Sequence, residues 1–286
     1  MARRVLHSAT RRGLRTLLRS EFVQAAVMDD PKLARMAWRI ATHALGYNNC
    51  ISLATSGEAE FIRRIARLGA VGTAIDVGAN KGSYAECLLE HGFRRVLAYE
   101  PHPGHVDSLE ALRARFDHRF EWYSVACGED QGTAELLFNP DALSHASMLH
   151  QANEISYTSN VDRISVPVDS LDRLIGTTNI GEVDLLKIDV EGLEETVLRG
   201  ASETIALRRP RFVQLEFNVH QLLAGSSLLS LSRLISGYVV GQLLPGSRGL
   251  REVEPMDASA NVFAYSNFVF VRERDDLVFL SEPVID

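Results

Sequence analysis

The chain has 286 residues, 46% hydrophobic and 23% charged, the make-up of an ordinary globular protein with room for one large domain and an appendage. No run approaches the roughly 18 uncharged apolar residues of a membrane-spanning helix. The formal net charge of −7 argues against sequence-independent nucleic-acid binding, which depends on basic surface. Three scattered cysteines, Cys50, Cys87 and Cys127, suggest neither a metal knuckle nor a disulfide framework, so a reducing, cytoplasmic setting and no metal are expected.

The N-terminus breaks with this acidic balance. Arg3, Arg4, Arg11, Arg12, Arg15 and Arg19 come with no acid before residue 21. Leu14, Leu17, Leu18 and Phe22 recur at helical spacing, with Arg11, Arg15 and Arg19 on another face. The favoured expectation is a helix folded against the main domain or capping its pocket. Two others stay open: an amphipathic helix over residues 3–23 on an anionic membrane surface, and an organellar transit peptide. Phe61, Ile62, Ile65 and Leu68 form a second apolar stripe that ends near Gly69. The division expected is an N-terminal helical extension over 1–56 and a main domain over 57–286.

From residue 73 short apolar runs alternate with helical patterns: a strand at 73–77, a helix at 83–91, a strand at 95–99, a helix at 103–115 and a strand at 120–125. That rhythm predicts βαβ units, a parallel sheet and helices on both of its faces. Further strands are expected at 183–190 and 212–217, with a closing edge strand at 268–272. Between the third and fourth strands lie about fifty residues with strand-like pieces at 134–138 and 164–168, too long for an open loop in a compact domain and so a small β insertion or a lid.

The first strand runs into Asp76-Val77-Gly78-Ala79-Asn80-Lys81-Gly82-Ser83. In open parallel sheets ligands bind beyond the carboxyl ends of the strands. Gly78 lets backbone approach a ligand, and the amides opening the next helix at Ser83 can meet a carboxylate. Twenty-two residues after Gly78, Glu100 ends the second strand, placed to accept both hydroxyls of an adenosine ribose. A dinucleotide fingerprint needs glycines at 78, 80 and 83, where this chain has Gly78, Asn80 and Ser83. Asp76 would repel a pyrophosphate but meet an ammonium, so an adenosine with an amino-acid tail, S-adenosyl-L-methionine, is expected. Small residues at 124–128, Ala126 among them, suit a flat adenine ring.

Asp76-Val77-Gly78-Ala79-Asn80, Glu100-Pro101, Lys187-Ile188-Asp189-Val190-Glu191-Gly192-Leu193-Glu194 and Val197-Leu198-Arg199-Gly200-Ala201 together resemble the FkbM family of methyltransferases. Pro167-Val168-Asp169-Ser170-Leu171-Asp172 and Arg209-Pro210 extend the resemblance to roughly residues 57–272. It implies a Rossmann-like class I methyltransferase fold and methyl transfer from S-adenosyl-L-methionine to a hydroxyl on a polyketide, sugar or glycolipid.

Methyl transfer to a neutral hydroxyl gains from a nearby base. Strand alternation puts Lys187, Asp189 and Glu191 on one face. Asp189, near the strand's end, is the expected base, acting directly or through His220; its bland alternative is a structural partner of Lys187. Glu216 ends the fifth strand and His220 follows in a loop, both expected toward the acceptor. Glu191 is expected in a first helical turn, offsetting the helix dipole or orienting other groups, with Glu194 and Glu195 solvated beside it. His145, Ser144 and Ser147 read as solvated loop. Two rival functions remain: a nicotinamide-dependent oxidoreductase, and a non-catalytic module that binds the cofactor without turnover.

Overall fold

The computed structural model describes residues 25, 27–50, 52–178 and 180–282. The helix expected over 3–23 lies outside the described residues. The chain divides into two units, Met1–Leu45 and Gly46–Asp286. In the first, helix α1 (Pro31–Ala44) opens on Asp30, whose carboxylate accepts from the amides of Lys32 and Leu33, with Pro31 at the position where a missing N–H costs nothing.

The second unit begins with a short helix α2 (Leu53–Ser56) and α3 (Glu58–Arg67), then β1 (Thr73–Val77), α4 (Ser83–Glu90), β2 (Arg95–Tyr99), α5 (Val106–Phe116) and β3 (Phe120–Tyr123). There follow β4 (Ala126–Gly128), β5 (Gly132–Phe138), β6 (Asp162–Ser170), α6 (Leu171–Gly176), β7 (Leu185–Ile188), α7 (Glu194–Arg199) and β8 (Phe212–Phe217). The chain closes with α8 (Val219–Ala224), α9 (Leu228–Leu234), β9 (Val239–Leu243), β10 (Leu250–Glu252), β11 (Ser266–Val271) and α10 (Arg274–Ser281).

Eight strands form the main sheet in the order β10-β9-β11-β8-β7-β1-β2-β3. β3, β2, β1, β7 and β8 run parallel, and β11, β9 and β10 are added antiparallel. The chain winds outward from β1 to β3 and returns to β7 beside β1, so the switch in winding direction falls between β1 and β7. Crevices for ligands open there. Strand parity splits the apolar side chains into two layers. Ile75, Leu186, Val213 and Phe268 pack on one face of the sheet; Ala74, Leu185, Phe212 and Val269 pack on the other. Burial on both sides is the reason these strands read as continuous apolar runs.

The insertion between the third and fourth main strands is a separate three-stranded sheet, ordered β4-β6-β5, with β5 and β6 antiparallel. The strand expected at 120–125 divides here: β3 stops at Tyr123, and Ala126 already belongs to the second sheet. The closing strand corrects the sequence reading. β11 is an interior strand between β8 and β9, and the edges are β3 and β10. β9 escapes a search for alternation because Gly241 and the buried Gln242 interrupt it. A side chain at Gly241 would press on Leu277 and Leu250, so α10 and β10 pack closely there.

Candidate active site

Beyond the carboxyl ends of β1, β2, β7 and β8 lies a cavity of about 1310 Å³. Asp76, Gly78, Asn80, Ser83, Glu100 and Ala126 all line it, as do Asp189 and Glu216. The turn after β1 is held against β7. Gly78 has φ +81°, and a Cβ there would collide with the carbonyl of Asp189. Its absent side chain therefore serves the approach of two strand ends as well as any ligand.

Glu100 is fastened by backbone. Its carboxylate accepts from the amide of Asn80 and from that of His102, each at 2.8 Å. Asn80 is itself left-handed, with φ +52°. Burial pushes Glu100 up to about 7 against those two stabilising N–H groups. Asp76 is fully buried and neither of its carboxylate oxygens has a hydrogen-bond partner. Burial drives it up to about 6, opposed by Lys187. An orphaned carboxylate facing a cavity is costly and asks for a positive partner. The ammonium of an amino-acid tail is such a partner, and Glu100 keeps acceptor capacity for a ribose diol. The residues present therefore fit S-adenosylmethionine.

Asp76, Lys187 and Gln214 stand in register on three neighbouring strands. They make a polar row on one face of the sheet. Tyr84 donates to Gln214 Oε1 at 2.6 Å, and Gln214 Nε2 donates to Glu58 at 2.8 Å. Lys187 is buried, 2.7 Å from Asp189 Oδ2 and 4.9 Å from the centre of the Tyr84 ring. Asp189, Asp76 and Glu58 all raise its pKa, so it stays charged.

Further along the cavity, oxygens of Asp189, Glu191 and Glu216 lie within 4.8 Å of one another. Burial and the neighbouring carboxylates push Glu191 and Glu216 well above the ordinary carboxylate range. Three carboxylates with one lysine attract positive charge, and a sulfonium carries it. His220 opens α8 rather than a loop, is 1% exposed, and does not line the cavity. Its Nδ1 lies 2.7 Å from Asn218 Oδ1 and 3.2 Å from Glu191 Oε2. It sits behind Glu191, and burial depresses it to about 4, leaving it neutral near pH 7.

Three sequence expectations are corrected here. Glu191 is outside the helix: α7 begins at Glu194, and Glu191 lines the cavity with φ +54°. Glu194 is buried rather than solvated, accepting from the amides of Val190 and Gly192 and from the Gln221 side chain. His145 and Ser147 line the cavity, and the Ser147 hydroxyl donates to the Glu191 carbonyl at 2.9 Å. The three-residue interval from Glu191 to Glu194 holds the missed signal: Glu-Gly before a helix permits a left-handed turn as readily as a first helical turn.

The methyltransferase FkbM domain matches residues 76–227, more than half of the chain, taking in all four strand ends that form the cavity. The chain belongs to the FkbM methyltransferase family. S-adenosylmethionine is the methyl donor of that family, and the sheet is of the class I methyltransferase type. No curated protein sequence matches the chain. Among solved structures it is similar to methyltransferase FkbM from Methylobacillus flagellatus KT, at 18% identity over 70% of this chain and 44% of that one, with TM-score 0.43. The FkbM-family chain described here thus spans less than half the length of that protein. It is also similar to the O-methyltransferase TomG from Streptomyces achromogenes in complex with SAM, at 12% identity over 78% and 82% of the two chains, TM-score 0.42. A third is an O-methyltransferase from Bacillus cereus in complex with SAH, at 14% identity over 84% and 90%, TM-score 0.41.

Proposed function

We propose that the chain transfers a methyl group from S-adenosylmethionine to a hydroxyl on a small molecule, a sugar or a lipid-linked glycan. The observation that carries this reading is one cavity with a donor end at Asp76, Gly78, Asn80, Ser83, Glu100 and Ala126 and a carboxylate-lined end at Asp189, Glu191 and Glu216. When bound, S-adenosylmethionine supplies a methyl group already activated on a positively charged sulfur. Asp76 is proposed to hold its ammonium, Glu100 its ribose, and Ala126 to lie against its adenine. Asp189, kept in place by Lys187, and Glu216, held by the Asn218 side chain, face the acceptor. Catalysis then comes from positioning two partners in one cavity and from taking up a proton.

Two measurements test the reading. Calorimetry should give S-adenosylhomocysteine binding and no comparable binding of a nicotinamide dinucleotide; the reverse result sinks it in favour of an oxidoreductase. Isotopically labelled donor, incubated with extracts and followed by mass spectrometry, should label a hydroxyl compound. Donor binding without any label transfer favours a non-catalytic module.

A further inference from the structure

We propose that Glu191 is the group that removes the acceptor's proton and that His220 positions it, an inference that rests on the methyl-transfer reading above. Glu191 lines the cavity from a left-handed backbone, a conformation that side chains other than glycine rarely adopt and that clusters at functional sites. Three separate elements hold it there. Glu194 clamps the turn by accepting from Val190 and Gly192, and Gln221 of α8 fixes Glu194 in turn. Ser147 of the insertion donates to the Glu191 carbonyl. Gly192, at φ +107°, lets the turn press on α8, where a Cβ would come within 2.8 Å of His220 Cβ. A turn built for helix capping alone needs none of this.

Among the three clustered carboxylates Glu191 is the one that His220 faces. Asp189 is ion-paired with Lys187, and Glu216 accepts from the Asn218 side chain. The groups facing Glu191 are Asp189 and Lys187 at the end of β7, Glu194 on α7, Glu216 on β8, His220 on α8 and Tyr157 in the insertion. Burial, Asp189 and Glu194 push its carboxyl well above the ordinary range, so fewer molecules are ionised at a given pH but each ionised carboxylate is a stronger base, and it is that form that takes the proton. The balance is simple. The acceptor oxygen bonds to the methyl carbon as the carbon–sulfur bond breaks, its electron pair staying on sulfur. The acceptor's proton passes to Glu191, which becomes a neutral acid. Neutral His220 keeps its Nδ1–H between Asn218 Oδ1 and Glu191 Oε2 and so orients the carboxylate without touching the acceptor.

The test uses Glu191→Gln in the full chain. A carboxyl whose folded pKa is raised holds its proton in the folded state, so stability is lost as pH rises through that pKa. Glutamine cannot ionise, so the variant should melt above wild type, by a margin that widens from pH 5 to pH 8. Single-turnover transfer from labelled donor to a panel of alcohols, diols and monosaccharides should fall by roughly 10²–10⁴-fold, with S-adenosylhomocysteine affinity unchanged within about threefold. Glu191→Asp should restore part of the rate and the rising pH limb. His220→Phe removes a donor to the charged form, so it should shift that limb to higher pH without erasing it. A Glu191→Gln protein less stable than wild type at pH 8, or one with wild-type turnover, overturns the proposal. So does a pH limb that Asp189→Asn abolishes and Glu191→Gln keeps, or activity lost to a chelator and restored by a divalent ion. Wild-type protein that fails to bind S-adenosylhomocysteine defeats the methyl-transfer reading instead, and the melting series still reports whether Glu191 ionises as argued.

Discussion

Replacing Lys187 by methionine removes the countercharge of the polar row while keeping most of the side chain's length. Lys187 is 5% exposed, 2.7 Å from Asp189, and it lowers the pKa of both Asp76 and Glu58. Breaking a buried pair by deleting one partner costs about 3–5 kcal/mol, because the other charge is left in place. For a unit of this size each kcal/mol shifts the melting temperature by about 2–4 °C, so Lys187→Met should lower it by about 6–20 °C at pH 8. Without the lysine, Asp76 and Glu58 hold protons to higher pH in the folded state than before. The folded state then binds more protons than the unfolded, and the variant's stability falls more steeply with rising pH than wild type. The deficit should therefore shrink on going from pH 8 to pH 5. Differential scanning calorimetry across that range is the assay. A melting temperature within about 2 °C of wild type at pH 8, or a deficit independent of pH, would refute the claim that Lys187 neutralises this row.

Two more outcomes follow from the site and the chain's basic head. Donor affinity should weaken as pH falls, because Asp76 must be ionised to meet the ammonium and Glu100 to accept from both ribose hydroxyls, and these sit at about 6 and about 7. Calorimetry with S-adenosylhomocysteine should show a loss of about tenfold between pH 8 and pH 6, flattened at its upper end in Glu100→Gln; pH-independent affinity contradicts it. Contact of residues 3–23 with an anionic membrane is tested by co-sedimentation with phosphatidylserine vesicles, comparing the full chain with one lacking residues 1–23. Equal sedimentation of the two removes that contact.

The parallel half of the fold was legible because its strands are buried on both faces and separated by amphipathic helices. Thr73–Val77, Arg95–Tyr99 and Phe212–Phe217 fall where the apolar runs put them. The antiparallel extension was less so. Gly241 answers to Leu250 and Leu277 and Gln242 to Arg251, partners that the local pattern does not reveal, and a strand as short as Leu250–Glu252 has no period to read. At the site, the residues of the strand ends were legible because position follows from strand parity. Asp76, Glu100, Asp189 and Glu216 all reach the cavity. What parity cannot reach is a turn. An acid just before a helical pattern reads as a first-turn residue, and the tertiary bonds from Ser147 and Gln221 hold Glu191 in the left-handed alternative instead. His220 shows the same limit in reverse: its place after β8 is right, but the capping of α8 by Asn218 turns its ring behind Glu191.

The distribution of charge in the cavity ties these points together. Asp76, Glu100, Glu191 and Glu216 line it, each pushed up by burial, and among the described residues Lys187 is the one buried lysine or arginine in the lining. A cavity so arranged is poised between two states. Without positive charge, its carboxylates are driven toward their neutral forms by desolvation and by one another. A ligand bearing an ammonium at one end and a sulfonium in the middle reverses that preference where it lies, at Asp76 and toward Asp189. Glu191 and Glu216 are held further along, by the turn before α7 and by Asn218. On the proposed reading the cavity separates two tasks by distance: Asp76 and Glu100, charged to hold the donor, and Glu191, which in its ionised form takes up the acceptor's proton.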